Sequence, residues 1–281
     1  MDDYKKQLLS YLEPDRLITW SCGHIIPKGN LVVRTITKGP DGMSLDFAFQ
    51  KRQDAVMIAS LGHSLLQLSS VIPDGLVVFF PSYSYLDVVV SAWKAPAPRR
   101  IWDRLMAKKP IFQESKEFQN VEDMLREYSI SVDTNRGGLL LSVMGGKLSE
   151  GINFSDRLGR GVAVVGLPFP DARAAPWKAK MEYLERKTAQ DGGSMSAGKA
   201  EAQDFYVNSC MRTVNQSIGR AIRHKDDYAA IILLDRRYDT HRIAEKLPEW
   251  IKQGVVKGDG EAPFLQKMDG LKVFFAAKAS T

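Results

Sequence analysis

The chain has 281 residues, of which 44% are hydrophobic and 26% are charged, and its formal net charge is +6. This composition predicts a globular protein of one or two domains with enough apolar residues for a sizeable core. No apolar run reaches the ~18 residues of a membrane span, and the first residues lack the apolar region of a signal peptide. We therefore expect a soluble intracellular protein, whose small positive surplus suits a polyanionic partner.

The two cysteines, Cys22 and Cys210, lie far apart and belong to no Cys-x-x-Cys or Cys/His cluster. Disulfide frameworks and metal centres need several such residues at short, regular spacings. The sequence therefore predicts neither a disulfide framework nor a set of metal ligands in this chain.

The amino-terminal part alternates apolar runs with turn residues. Residues 1–15 are expected to hold a short connector helix that ends before Pro14. Between Pro- and Gly-containing turns the composition predicts three strands, and helical apolar spacing predicts a helix after them. The predicted connector helix is Asp2–Leu12, the strands are Leu17–Ile26, Leu31–Thr37 and Leu45–Phe49, and the next helix is Ala55–Leu68.

The apolar run Leu76–Phe80 predicts a strand buried on both faces, and Ser82 follows it as the N-cap of a helix. Ligands collect at the carboxyl ends of parallel strands, because free N–H groups and hydroxyls of the next turn can hold phosphate there. Ser82 and Tyr83 are therefore candidates for binding a phosphate backbone. A plain N-cap beside a packing aromatic stays open as the alternative for either residue.

The rest of the chain continues to alternate strands and helices, which predicts an α/β fold with a mainly parallel sheet. A low-complexity Gly/Ser segment predicts a flexible loop at about 188–200, and the apolar face of the last helix is expected to pack onto the domain. The predicted strands are Pro110–Gln113, Leu139–Val143, Gly161–Leu167 and Tyr228–Leu234, and the predicted helices are Ile101–Ala107, Val121–Tyr128, Ala174–Lys187, Phe205–Arg223 and Phe264–Ala277.

A glycine-rich loop, Met-Gly-Gly-Lys-Leu-Ser-Glu-Gly, follows the second of these strands. Gly145, Gly146 and Gly151 permit positive φ and leave backbone N–H groups unshielded, as a phosphate-facing loop requires. Lys147 adds a positive charge for a phosphate. Glu150 has the wrong sign for a phosphate backbone, and we expect it to reach the magnesium-bound water or the ribose of a nucleotide.

The stretch Gln-Ser-Ile-Gly-Arg-Ala-Ile-Arg begins at Gln216. On a helix, Gln216, Arg220 and Arg223 share one face. Two planar, permanently charged guanidiniums suit phosphate oxygens, and Gly219 admits a ligand or another backbone beside them. We interpret the two arginines as arginine fingers and assign Gln216 to the same catalytic group.

The alternative for that stretch is a solvated helix face, with Asp226 and Asp227 partly neutralising the arginines. The context favours the fingers. The apolar run Tyr228–Leu234 ends at Asp235, as expected for a strand buried in a parallel sheet. A helix with paired arginines beside a central strand is typical of one half of a nucleotide motor that supplies fingers to the other half.

Three stretches, in this order and spacing, resemble motifs of the XPD-like (Rad3-like) iron-sulphur DNA helicases of the second superfamily. The stretches are Gly75–Leu86 for motif IV, Leu139–Asp156 for motif V and Gln216–Tyr238 for motif VI. Within that group, Cys-Gly-His-Ile-Ile-Pro at Cys22, Asn153 in motif V and the Asn-Gln-Ser at Asn215 look most like the ChlR/Chl-type cohesion helicases. The resemblance extends over about residues 18–251.

This resemblance implies a RecA-like three-layer sandwich with a mainly parallel central sheet at residues 16–251, and a C-terminal helical extension at 252–281. It also implies that the loops after the strands contact DNA. The implied DNA-binding residues are Ser82, Tyr83, Gly145, Gly146 and Lys147, together with a basic corner at Lys51 and Arg52. For that corner, a pair of solvated cations is an equally good alternative.

The resemblance further implies the second motor domain of an ATP-dependent DNA helicase of 5′–3′ polarity. ATP and magnesium would be shared with an N-terminal half, with Glu150, Gly151 and Gly219 on the nucleotide side. A 4Fe–4S cluster is expected in the full-length protein only. The implied partners are single-stranded or forked DNA, the N-terminal half, and replisome and cohesion factors, in the nucleus and without a membrane, with roles in DNA replication, repair and sister-chromatid cohesion.

The chain lacks a P-loop, Gly-x-x-x-x-Gly-Lys-Ser/Thr, and an acidic Walker B pair, so it cannot cradle a nucleotide alone. We therefore expect this chain to complete the active site of another domain. A catalytically silent RecA-like nucleic-acid-binding or scaffold module is the alternative from another class. Half of an RNA helicase is disfavoured, because Ile222 occupies the place of the second Gly in Gly-Arg-x-Gly-Arg.

Overall fold

The computed structural model describes residues 12, 16–18, 26–98, 100–116, 121–148, 154–190, 192–222, 224–256 and 258–279. The chain divides into two compact units. Unit 1 comprises Met1–His24 and Pro170–Ser209, and unit 2 comprises Ile25–Phe169 and Cys210–Thr281. Among the helices that can be described, none combines the length and apolar character needed to cross a bilayer.

Six strands and nine α-helices can be assigned in the described ranges. The strands are β1 (Leu31–Ile36), β2 (Gly75–Phe80), β3 (Ile111–Gln113), β4 (Gly138–Val143), β5 (Gly161–Val165) and β6 (Ala229–Leu234). The helices are α1 (Ala55–Val71), α2 (Tyr83–Lys94), α3 (Ile101–Met106), α4 (Val121–Asp133), α5 (Ala175–Gln190), α6 (Met195–Ile218), α7 (His241–Ala244), α8 (Glu249–Lys252) and α9 (Phe264–Ala279). Single 3-10 turns occupy Lys28–Asn30, Asp156–Gly159 and Arg236–Asp239.

All six strands pair in parallel in one sheet of unit 2, in the order β1-β6-β5-β2-β4-β3. Apart from the short β3, the strands are buried almost throughout, because their apolar residues are covered on both faces of the sheet. The carboxyl ends of parallel strands meet at one edge of a sheet, which we call the carboxyl-end edge. The opposite edge is the amino-end edge.

Alternating residues of each strand pack into two separate layers. On one face, Val78 and Phe80 of β2 join a core with residues of α1, α2 and α9, such as Leu61, Trp93 and Leu271. The predicted packing of the C-terminal helix is therefore confirmed. On the other face, the ring of Phe79 lies 6.2 Å, centroid to centroid, from that of Phe154. The α/β RecA-like architecture with a C-terminal helix is confirmed.

The predicted strand Leu45–Phe49 is wrong, because its backbone groups bond outside any ladder. The N–H of Leu45 donates to the carbonyl of Thr37, and the N–H of Phe47 donates to the carboxylate of Asp235. This segment therefore crosses the carboxyl-end edge as an irregular connection. The predicted connector helix and most of the predicted strand Leu17–Ile26 lie outside the described residues.

The predicted loop at 188–200 and the predicted start of the next helix at Phe205 are also wrong, since α5 reaches Gln190 and α6 begins at Met195. Ser194 explains the early start of α6. Its hydroxyl oxygen accepts the N–H of Ala197 at 3.2 Å, which is the interaction of an N-cap. Local capping thus outweighs the Gly/Ser composition of the segment.

In unit 1, an aromatic cluster joins α5 to the first part of α6. The ring of Trp177 lies 6.0 Å from that of Phe205 and 5.9 Å from that of Tyr206, and the ammonium of Lys180 lies 5.3 Å from the Phe205 ring centroid. The Tyr206 hydroxyl donates to the carbonyl of Pro170. These contacts hold the two helices together around a packed aromatic centre.

Candidate functional site

Ser82 follows β2 at the carboxyl-end edge and caps α2. Its hydroxyl oxygen accepts the N–H of Tyr85 at 3.2 Å and lies 3.1 Å from the hydroxyl of Ser84. The N-cap interpretation is therefore confirmed. A hydroxyl that accepts a capping bond can still donate its proton, so the cap is compatible with the predicted phosphate contact.

The glycine-rich loop after β4 lies close beside Tyr83. Gly145 has φ +70°, in the left-handed region that glycine adopts without strain. A Cβ at Gly146 would lie 2.7 Å from Tyr83 Oη and 2.8 Å from Glu114 Oε1, so a larger residue would push these side chains apart. Lys147 is exposed, and its backbone N–H lies near the Tyr83 hydroxyl.

Glu114, which directly follows β3, connects motif IV to motif V through a buried carboxylate that is only 1% exposed. Its Oε1 accepts the Tyr83 hydroxyl at 2.5 Å and the N–H of Leu148 at 3.3 Å. Its Oε2 accepts the Ser142 hydroxyl at 2.7 Å and the N–H of Val143 at 2.9 Å. Four donors therefore satisfy a group that burial alone would destabilise.

This network fixes the role that the Tyr83 hydroxyl can play. Partial burial, the hydrogen bond to Glu114 and the charge of Glu114 raise the pKa of Tyr83 to about 12. The hydroxyl donates to Glu114 and the ring packs against the core. Tyr83 thus ties the start of α2 to the glycine-rich loop, and the charge offered to a phosphate comes from Lys147.

Lys51 belongs to an ion-pair cluster at the β1 and β6 side of the same edge. Its Nζ lies 3.0 Å from Asp46 Oδ2, and Arg236 Nε lies 3.3 Å from that oxygen. Partial burial opposes ionisation of Asp46, but bonds from Lys51 and the Ala48 N–H, with the charges of Lys51 and Arg236, lower its pKa below the usual value. The side chain of Lys51 remains 61% exposed.

Arg52 makes contacts of another kind. Its guanidinium carbon lies 4.7 Å from the Phe49 ring centroid and 5.2 Å from the Tyr85 ring centroid. Lys51 and Arg52 therefore have separate partners, one ionic and one aromatic, and their contact with DNA stays a prediction. Both residues lie at the carboxyl-end edge, as the resemblance implies.

Gln216 and Arg220 lie at the amino-end edge, where the helix ends earlier than the sequence predicts. Gln216 is exposed in the last turn of α6, which ends at Ile218, and Arg220 lies beyond it in a turn. The N–H of Arg220 donates to the carbonyl of Ser217 at 3.3 Å, a bond of the tighter 3-10 type that follows the end of the helix at Ile218. The shared helical face is therefore wrong beyond Ile218.

Motifs V and VI meet at this amino-end edge. The N–H of Phe154 donates to the carbonyl of Arg220 at 3.1 Å. The N–H of Asp156 donates to Asp227 Oδ2 at 3.2 Å, and His224 Nε2 lies 3.0 Å from Asp156 Oδ1. A main-chain bond and two side-chain contacts thus hold the end of motif V against the finger turn.

Asp227 is buried and engaged by Arg160. An Arg160 guanidinium nitrogen donates to Asp227 Oδ1 at 2.8 Å, and the guanidinium carbon lies 3.7 Å from the ring centroid of Tyr228. Asp156, His224 and Asp227 place their ligand atoms within 4.8 Å of one another. Because Arg160 already neutralises Asp227, the structure favours an ion-pair cluster over a cation site.

Three predicted site residues, Glu150, Gly151 and Arg223, lie outside the described residues. Gly219 leaves room beside the finger turn, since a Cβ there would meet only carbonyl oxygens of its own helix, the nearer being that of Asn215 at 3.2 Å. The nucleotide-binding role of these residues stays a prediction.

Comparison with known proteins agrees with this arrangement. Residues 65–254 match the family of the helicase C-terminal domain, which covers motifs IV, V and VI. The chain belongs to that family. Its motifs therefore come from a helicase C-terminal domain, and the resemblance to XPD-like and Chl-type helicases is confirmed.

Two fungal proteins are among the curated relatives. The chain is 49% identical to "ATP-dependent DNA helicase chl1" of Aspergillus niger, which it matches over 100% of its own length and 33% of the relative. It is 44% identical to the protein of that name in Schizosaccharomyces pombe, over 99% and 32% respectively. The chain thus spans about a third of the length of the curated relatives it matches.

A solved structure named XPD_APO shares the fold. It superimposes with a TM-score of 0.51 at 24% identity and covers 77% of this chain and 38% of the other. At this identity the likeness supports the architecture of the helicase C-terminal domain and nothing finer.

Sequence reasoning missed Glu114 in this helicase C-terminal domain. A signal was present, because Ile111–Gln113 is a predicted strand and Glu114 is the polar residue that follows it. The argument that selected Ser82 after β2 applies equally to Glu114 after β3. The sequence does not show that the residue after β3, the outermost strand of the sheet, contacts motifs IV and V, which are distant from it in the chain.

Proposed function

We propose that this chain is the second motor domain of an ATP-dependent DNA helicase with 5′–3′ polarity. It supplies arginine fingers to an ATP site shared with an N-terminal half, and it holds the backbone of single-stranded or forked DNA. The relatives that bear the helicase name are about three times as long, which supports a motor completed by further domains.

The observation that carries the proposal is the placement of the motifs on opposite edges of one parallel sheet. Motif IV and the start of motif V meet at the carboxyl-end edge through Glu114. The end of motif V and motif VI meet at the amino-end edge through the bond from Phe154 to Arg220. Motif V therefore begins at the proposed DNA site and ends at the proposed ATP site. A domain that couples the nucleotide state to DNA binding requires such a connection.

At the amino-end edge, the residues fit a nucleotide phosphate that another domain cradles. Arg220 lies half-buried in the finger turn and Gln216 is exposed one turn earlier. In the proposal, Arg220 and Arg223 bind the oxygens on which negative charge accumulates, and Gln216 orients the attacking water. Glu150 and Gly151 would contact the ribose or the magnesium-bound water. ATP with magnesium supplies the phosphoryl group whose hydrolysis drives the motor.

At the carboxyl-end edge, the chain offers exposed cations on a rigid frame. Lys147 extends from a loop whose backbone is fixed by Glu114 and Tyr83. Lys51 lies farther along the same edge. Such contacts read the charge of the backbone and not the base sequence, so binding should be indifferent to sequence and sensitive to salt.

A 4Fe–4S cluster does not fit this chain, since it has two cysteines and the cluster takes four thiolates. Cys210 is buried, and burial raises the pKa of its thiol to about 12. We propose that the cluster belongs to the rest of the full-length protein. The Chl-type likeness supports nuclear roles in replication, repair and sister-chromatid cohesion, with replisome and cohesion factors as partners.

The test compares the 281-residue chain alone with the chain joined to its natural N-terminal half. We expect no DNA-stimulated ATP hydrolysis by the chain alone, because it lacks a P-loop, and hydrolysis with 5′–3′ unwinding of forked DNA by the joined protein. Turnover by the chain alone would falsify the half-motor proposal. A joined, folded protein that binds DNA without hydrolysis would favour the catalytically silent module.

A further inference from the structure

Arg160 is a buried arginine at the amino-end edge, between the 3-10 turn Asp156–Gly159 and β5. One of its guanidinium nitrogens, Nη1, donates to Asp227 Oδ1 at 2.8 Å and to the carbonyl of Tyr228 at 3.0 Å. Its own carbonyl accepts the N–H of Ala230 at 2.9 Å. Arg160 therefore holds three of the four residues through which the chain enters β6.

The end of motif V also contacts the finger turn, residues 219–222, and the chain that leaves it. The N–H of Phe154 donates to the carbonyl of Arg220 at 3.1 Å, which holds the turn itself. Asp227 Oδ2 accepts the N–H of Asp156 at 3.2 Å. The main-chain bond thus holds one point of the turn, and the buried ion pair of Asp227 holds the chain after it. The finger turn is therefore fixed at two points.

The guanidinium of Arg160 is fixed by an aromatic ring as well as by a carboxylate. Its carbon lies 3.7 Å from the ring centroid of Tyr228, and the same ring lies 6.4 Å, centroid to centroid, from the rings of Phe274 and Phe275 on α9. A planar guanidinium can stack on a ring and bond a carboxylate at the same time, which a lysine ammonium does less well. The C-terminal helix therefore takes part in placing Arg160.

The ion pair is poorly suited to stabilise the fold alone. Asp227 is 1% exposed and Arg160 is 7% exposed, so both charges have lost their water, and this loss offsets much of their attraction. Arg160 Nε is also buried and has no hydrogen-bond acceptor among the residues that the structure describes. Apolar side chains of the same size would avoid these costs, but they would not hold polar main-chain groups in one position. The contribution of the pair is therefore the geometry that it fixes.

We propose that Arg160 is a positioning residue for ATP hydrolysis, which holds the finger turn in place through Asp227 and Tyr228. Preformed charges stabilise a transition state because they need not reorganise during the reaction, and a misplacement of ~1 Å can lower a rate by ~100-fold. Arg160 acts through the chain and not on the nucleotide, because its own guanidinium is already bonded and buried. This inference rests on the proposed function, since it requires a finger in the turn.

The first test is Arg160→Lys in the chain joined to its natural N-terminal half. The ammonium keeps the charge beside Asp227 but loses the planar stack on Tyr228. We expect kcat for DNA-stimulated ATP hydrolysis to fall by about 10- to 100-fold. The KM for ATP and the Kd for single-stranded DNA should not change, because the P-loop of the other half binds the nucleotide and the opposite edge of the sheet binds DNA.

Arg157→Lys is the matched control, since Arg157 lies in the neighbouring 3-10 turn and forms its own ion pair. Its Nη2 lies 2.8 Å from Asp74 Oδ1 and also donates to Asn135 Oδ1, and both partners lie outside motif VI. The control replaces a guanidinium by an ammonium at the same edge, but its kcat per folded molecule should stay that of the parent.

A second variant separates positioning from stability. Arg160→Gln with Asp227→Asn removes both charges together, so no buried charge is left without a partner and the protein should stay folded. Its kcat should nevertheless fall at least as far as that of Arg160→Lys. A readout without ATP is hydrogen exchange by mass spectrometry in the 281-residue chain. Both variants should exchange the amides of residues 219–222 faster than the parent does, and those of α2 at the parent's rate.

The coupling to the finger is measured with Arg220→Ala. Arg160→Lys should lower kcat by a smaller factor in that background than in the parent, because part of what it positions has been removed. Equal factors in the two backgrounds would overturn the positioning role while the proposed function stands, as would parent kcat per folded molecule and parent exchange in the double variant. If Arg220→Ala itself leaves kcat unchanged, the finger assignment is wrong and this inference falls with it.

Discussion

The two edges of the sheet are built differently. At the carboxyl-end edge, one buried side chain, Glu114, holds motifs IV and V together through four hydrogen bonds. At the amino-end edge, motif V is held to the finger turn by the main-chain bond between Phe154 and Arg220, beside the exposed Asp156–His224 contact and the buried Arg160–Asp227 pair. A single substitution should therefore loosen the carboxyl-end edge, whereas the main-chain bond at the amino-end edge does not depend on any one side chain.

The largest expected effect comes from a finger. In the protein joined to its N-terminal half, Arg223→Ala should lower the ATPase rate by about two orders of magnitude or more, because arginine fingers contribute ~10³ to 10⁵ in related phosphoryl transfers. In the proposal Arg223 faces the nucleotide and has no partner within the domain, so its loss should change the stability of the 281-residue chain only as a surface substitution does, within roughly 0.5 kcal/mol. Arg223→Lys should also fail, because an ammonium lacks the planar fork.

The control for this prediction is Arg104→Ala on the exposed side of α3, which removes an arginine far from motif VI in the sequence and should change neither rate nor melting temperature. If Arg223→Ala lowers the melting temperature while turnover per folded molecule is unchanged, the stated difference between the two edges is wrong. Arg223 would then be a structural residue of the amino-end edge, and the finger interpretation would lose its principal residue.

Much of the fold followed from the sequence, because buried parallel strands leave long apolar runs. Five of the six observed strands overlap runs of β-branched and aliphatic residues, which are rare in exposed helices and loops. The segment Leu45–Phe49 has large apolar residues at alternate positions, as a half-buried strand does, but it is no strand. Its backbone bonds to Thr37 and to the Asp235 carboxylate, and pairing with groups so distant in the chain leaves no local pattern.

The site was predicted less completely, for two physical reasons. A helix boundary depends on the hydrogen bonds of a single turn, so helical spacing alone extended α6 past Gly219. The importance of Glu114 depends on Tyr83, Ser142 and Leu148, which come from three other segments. Charge, glycine content and strand order select the right loops, whereas the contacts between those loops require the three-dimensional structure.

The next largest effect should come from Glu114→Gln at the carboxyl-end edge. An amide of the same shape keeps one acceptor oxygen, but its NH₂ faces donors that the carboxylate had satisfied. Each buried donor left unpaired costs about 1–3 kcal/mol, so the free energy of unfolding should fall by at least that amount in urea denaturation. Binding of single-stranded DNA by the molecules that remain folded should also weaken, because the glycine-rich loop loses its anchor.

Glu122→Gln is the matched control, since Glu122 is an exposed glutamate on α4. It should leave the urea midpoint and DNA binding unchanged. If Glu114→Gln matches this control in both measurements, the carboxylate is dispensable and the two edges do not differ in the way described. Loss of stability with full DNA affinity would reduce Glu114 to a purely structural residue.

A smaller effect concerns the titration of Tyr83. Because burial and Glu114 raise its pKa to about 12, the folded state favours the neutral phenol. Its contribution to stability is therefore fully present below the ordinary tyrosine pKa of about 10 and is lost as the pH rises through about 12. A difference absorbance titration between the parent and Tyr83→Phe measures this step, and Glu114→Gln should move it to lower pH.

The smallest effects should come from the basic corner, where two substitutions are expected to act in opposite directions. Lys51→Ala removes an exposed cation from the DNA edge and should weaken binding of single-stranded DNA by at most about fivefold. Asp46→Asn keeps the shape of the side chain but removes the charge that holds Lys51 and Arg236. Both cations then act on a phosphate without a competing carboxylate, so binding should become tighter.

The opposite signs make this pair informative even though each change is small. If the corner does not contact DNA, both variants should bind DNA as the parent does. Neither should unfold, since exposed ion pairs contribute only about 0–1 kcal/mol to stability. Because salt screens such charges over a Debye length of about 10 Å at 0.1 M, the three proteins should converge at high ionic strength. A difference that persists at high salt would instead indicate that Asp46→Asn has rearranged the connection between β1 and α1. In that case Asp46 would be a buried anchor of the carboxyl-end edge, as Glu114 is, and the basic corner would belong to its frame.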